Sequence, residues 1–65
     1  MENQKNNQRE ERVEELAEAL SLKLADKLER HEISLEKMGE TIQAFVYYAN
    51  IGKELEELEK FVNNA

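Results

Sequence analysis

The sequence holds one histidine, His31, the residue type that serves general-base catalysis and pH sensing at neutral pH. It falls at the end of a predicted helix, where a cation also complements the helix dipole, and that plainer role is the expectation. A Glu-x-x-His carboxylate metal motif would need an acidic residue at position 28, where Leu28 stands. With no cysteine and one histidine, neither a thiolate site nor an imidazole-rich zinc site can be assembled.

The chain carries 15 acidic residues, and paired carboxylates could in principle serve glycoside or phosphoryl chemistry. Such work needs one carboxyl group held in a pocket with a raised pKa. Glu10, Glu11, Glu14, Glu15 and Glu18, like Glu54, Glu56, Glu57 and Glu59, instead stand among other polar residues. That pattern belongs to the solvated faces of amphipathic helices. No phosphate-binding glycine loop, nucleophile elbow or Ser/His/Asp set is present, so the chain is expected not to be an enzyme and to use no cofactor or small-molecule substrate. Phe45, Tyr47, Tyr48 and Phe61 could stack on bases, but stacking surfaces interleave aromatics with cations. Residues 38–52 carry a single charge, Glu40, so these rings are expected in an apolar interface.

Charge narrows the partners further. At a net charge of −6, the chain is poorly suited to neutralising phosphates or docking on an anionic bilayer. No apolar run approaches the roughly 20 residues of a membrane span. A cytoplasmic protein that binds neither nucleic acid nor membrane is the expectation. Acidic helices could also mimic nucleic acid and block a DNA-binding protein, although nine basic residues are mixed in.

The elements read as follows. Residues 1–8 have no apolar residue after Met1 and are expected to form a disordered polar tail. From Arg9 to His31 one stripe gathers Val13, Leu16, Ala17, Leu20, Leu24 and Leu28, predicting a first helix. Ser34 is suited to cap a second helix, with Ile33 and Met38 placed as a hydrophobic staple. No Gly or Pro forces the turn, so an uninterrupted helix through Ser34 is the alternative. The second helix is predicted over 35–62, with residues 63–65 frayed.

That second helix carries two seams. Leu35, Met38, Ile42, Phe45 and Ala49 form one; Ala44, Tyr48, Ile51, Leu55, Leu58 and Val62 form another about half a turn away. Asn50 and Gly52 both tolerate a left-handed C-cap, so the helix can break near residues 50–52. The overlap of the seams over 44–49 favours one helix with two neighbours instead. A chain this small buries only about 60% of its unfolded surface, which invites oligomerisation.

Two stretches carry a resemblance. Lys27 to Glu36, with Leu28-Glu29 before the turn and Ser34-Leu35-Glu36 after it, resembles the inter-helix region of the exonuclease VII small-subunit family. Lys53 to Lys60 is similar to that family's terminal helix. His31 stands where the family usually has a turn glycine. The resemblance implies a short helical hairpin and a non-catalytic subunit that binds a large nuclease subunit.

The expected fold is therefore all-α: one domain over 9–62, a two-helix hairpin assembling as a dimeric bundle. Its hairpin core comprises Val13, Leu16, Leu20, Leu24, Leu28, Leu35, Met38, Ile42, Phe45 and Ala49. Its protein interface comprises Ala44, Tyr47, Tyr48, Ile51, Leu55, Leu58 and Val62. The expected partners are a second copy of the chain and another protein, and the expected role is a non-catalytic accessory or regulatory module.

Overall fold

The computed structural model describes the backbone of residues 3–65 and the side chains from Gln8 onward. It is all-helical among those residues: α1 (Asn3–Glu29), α2 (Leu35–Asn50) and α3 (Leu55–Asn63). There are thus three helices where a two-helix hairpin was expected. α1 also begins before the predicted start at Arg9. With no glycine or proline before Gly39, nothing halts the helix once it is nucleated, and added turns cost little. The expected tail of residues 1–8 is therefore helical from Asn3, and Met1 and Glu2 lie outside the described residues. Glu10, Glu11 and Glu14 accordingly sit in the body of α1, whose first turn holds no acidic residue.

α1 ends two residues earlier than predicted, through a left-handed residue. His31 has φ 63°, Glu32 N–H donates to the Lys27 carbonyl at 2.8 Å, and His31 N–H donates to the Leu28 carbonyl at 3.0 Å. These two bonds are a Schellman motif, which satisfies carbonyls the helix leaves orphaned. Ser34 then caps α2 as predicted, its Oγ accepting from Lys37 N–H at 3.0 Å. Ile33 and Met38 are both half-buried against the core, as a staple requires.

α2 ends by the same device. Gly52 has φ 85°, Lys53 N–H donates to the Tyr48 carbonyl at 3.0 Å, and Gly52 N–H donates to the Ala49 carbonyl at 3.2 Å. The turn through Ile51–Glu54 sends the chain back along α1. The break costs a few interior helix bonds, partly replaced by the cap. Breaking lets Leu58 and Val62 bury fully, worth about 1.5–3 kcal/mol each. Burial prevails, because an unbroken helix would have carried both side chains away from α1.

The three helices run up, down and up around one row of side chains. Leu16, Leu20 and Leu24, spaced by four on α1, meet Phe45 from α2 and Leu58 and Val62 from α3. Val13, Met38, Ile42, Ala49 and Leu55 pack half-buried around this row. Leu28 is half-buried and outside it. Leu35, expected in the core, is 71% exposed: it stands in the first turn of α2, at the edge of the arc through which Met38, Ile42, Phe45 and Ala49 meet the core. Ala65, expected in a frayed terminus, packs against the core, with its N–H donating to Val62. The body measures 46 × 18 × 15 Å. No helix among the described residues is long and apolar enough to cross a membrane.

Candidate interaction face

An aromatic ladder leads from the core to the surface. Phe45 is buried, and its ring lies 6.2 Å from that of Phe61. Phe61 meets Tyr48 edge-on at 5.7 Å, and Tyr48 meets Tyr47 at 5.8 Å. Each such pair adds about 0.5–1.5 kcal/mol beyond burial alone. Lys53, just past the α2 cap, holds its ammonium 5.8 Å from the Tyr48 ring, within cation–π range. The ladder ends at Tyr47, which is 60% exposed.

Around that end stand two other uncovered apolar side chains: Ile51, the C-cap of α2, at 56% and Val46 at 48% exposure. With Leu35 they mark the outer half of the helix. The expected interface is therefore divided by the fold. Leu58 and Val62 are core residues, because the break at Gly52 turns their seam inward onto α1. Leu55 follows them, half-buried. Ala44 and Tyr48 are half-buried between α2 and α3, and only Tyr47 and Ile51 stand clear of the body.

The residues considered for chemistry do not converge. His31 is exposed in the α1–α2 turn. Among the described residues no group of three or more His, Cys, Asp or Glu side chains is placed to hold a metal ion. The cleft between α2 and α3, about 360 Å³, is open to solvent and floored by Ala44, Phe61 and Ala65. Its charged residues are Lys37 and Glu40, on α2 at one wall.

Composition did not announce what binds the three helices at their ends. Three cations of α1 reach across the bundle. Arg9 donates to the Ala49 carbonyl at 3.1 Å, near the end of α2. Lys23 donates to the Val62 and Asn63 carbonyls at 2.9 and 3.0 Å, at the end of α3. Both place a cation at the negative end of a helix dipole. Arg12 binds Glu59 of α3 through two guanidinium nitrogens, at 2.5 and 3.2 Å, and Glu15 at 2.9 Å. The hydrogen bond to Glu59 is the main cause that raises the Arg12 pKa above its ordinary value. A sequence signal exists only in hindsight: Arg9, Arg12 and Lys23 flank the apolar stripe of α1 instead of lying opposite it.

The sequence matches no protein-family model, and neither the characterised proteins nor the solved structures contain a significant match.

Proposed function

We propose that this protein is a non-catalytic helical interaction module that binds protein through the outer face of α2. The observation that carries the reading is the exposure of Leu35, Val46 and Tyr47 on α2 and of Ile51 at its C-cap, with Glu40 the only charge over 38–52. Scattered single apolar residues are ordinary on a surface, whereas several gathered on the outward half of one helix and its cap in a highly charged chain mark a contact surface. Tyr47 suits such a role because its ring can bury while its hydroxyl stays hydrated or finds a partner.

The accessory-subunit reading drawn from the exonuclease VII likeness is a special case, with a nuclease as the partner. An inhibitor acting on a DNA-binding protein would instead use the acidic outer ridge of α1, where Glu11, Glu14, Glu15 and Glu18 are exposed. A photoreactive amino acid at Gln43, exposed on α2, tests the main reading inside the native cell. Covalent capture of a protein is the expected result. A folded probe that captures no protein at all would overturn the proposal.

A further inference from the structure

Part of the outer face of α2 has a composition that no contact within the chain explains. Leu35, Gly39, Gln43, Val46 and Asn50, all exposed, fall within an arc of about 80° at 100° per residue, with half-buried Ile42 just beyond its inner edge. None is charged, although charged residues make up 37% of the sequence. At the centre stands Gly39. A Cβ there would meet nothing within 4 Å, and the position lacks the left-handed φ that would require glycine. Glycine inside a helix carries a penalty of about 1 kcal/mol against alanine. No close approach within the chain gives it a use, so the notch is open toward an outside neighbour.

We infer that the neighbour is a second copy of this chain, the two α2 helices crossing antiparallel at Gly39. The inference rests on the reading of α2 as an interaction face. An antiparallel register that sets Gly39 opposite Ile42 of the second copy also sets Leu35 opposite Val46. The two-fold axis then repeats both pairs. The missing side chain faces the part of half-buried Ile42 that its own core leaves uncovered, and the two exposed aliphatic residues cover each other. The face is thus complementary to itself. Charge points the same way. Two copies each carrying −6 repel, and an uncharged strip is where they meet without opposing like charges. A strongly basic partner would be drawn to the acidic ridge of α1 instead. A 16-residue helix is only about 24 Å long, so the contact falls at the small end of specific interfaces and the dimer is a weak one.

Sedimentation equilibrium of the full chain tests this. A reversible monomer–dimer equilibrium with Kd of roughly micromolar to tens of micromolar is expected. Val46→Lys should abolish the dimer while leaving the circular dichroism unchanged, since Val46 lies outside the core. Gly39→Ala supplies a test of sign: it should raise the thermal stability of the dilute monomer yet weaken dimerisation roughly tenfold, because the new methyl fills the notch. A chain monomeric to millimolar concentration, or a dimer indifferent to both substitutions, would overturn the inference. The Gln43 probe separates it from the broader reading. Self-crosslinking supports both; capture of a different protein alone removes the second copy and leaves the interaction face; capture of nothing removes both.

Discussion

Lys23 of α1 closes the end of α3: its ammonium donates to the Val62 carbonyl at 2.9 Å, across 39 residues of chain. A helix of nine residues gains little from its own hydrogen bonds; Ala65 N–H reaches the Val62 carbonyl, and Lys23 adds a second donor there and one at Asn63. Lys23→Met keeps most of the stem and removes the donor. It should cost about 1–2 kcal/mol, read as a lower urea midpoint with an unchanged m-value.

His31 and Gly52 hold equivalent positions in two Schellman motifs, but only one is glycine. A side chain in the left-handed region costs about 1–2 kcal/mol, partly offset by the greater freedom glycine gains on unfolding. His31→Gly should therefore stabilise the fold by about 0.5–1 kcal/mol, and Gly52→Ala should destabilise it by about 1 kcal/mol. Thermal denaturation of the pair gives both signs in one comparison.

Leu58 and Leu35 exchange the roles their seams suggested. Leu58→Ala should cost about 2–5 kcal/mol, as for other fully buried leucines. Leu35→Ala should change the stability of a dilute sample by no more than about 0.5 kcal/mol. Equal losses at the two positions would contradict the inward turn of α3.

The Arg12–Glu59 pair joins two side chains that are each 42% exposed, so its effect should depend on salt. A guanidinium is charged at every pH where the fold is studied, and the hydrogen bond to Glu59 raises the Arg12 pKa further, so raising the pH within that range does not weaken the pair. Glu59→Gln should lower stability at low ionic strength and bring it close to the parent at about 1 M salt. Urea titrations at two salt concentrations would measure this.

Much of α1 and the start of α2 was legible in the sequence, because Leu16, Leu20 and Leu24 repeat at one helical spacing and Ser34 is a capping residue beside Ile33. The course of the chain past Asn50 was not. Ala44 to Val62 keeps an unbroken heptad spacing through the turn at Ile51–Glu54, so periodicity alone reads one long helix. Gly52 marked where a break could fall. Whether it would fall there depended on the burial of Leu58 and Val62 against α1, a tertiary gain that local spacing does not express. The same turn explains why the residues of the expected interface part company: it drew Leu58 and Val62 into the core and left Tyr47 and Ile51 exposed.

The short connection between α2 and α3 has one further consequence. Too short to persist as a helix alone, α3 exists by docking, and the turn keeps it near α1 and α2 like a ligand that cannot diffuse away. Short flexible tethers of this kind set effective concentrations in the millimolar range. Leu58, Val62 and Lys23 then act as the affinity determinants of an intramolecular complex. Supplied separately, α3 would have to reach that concentration in solution before the row of leucines on α1 was covered again.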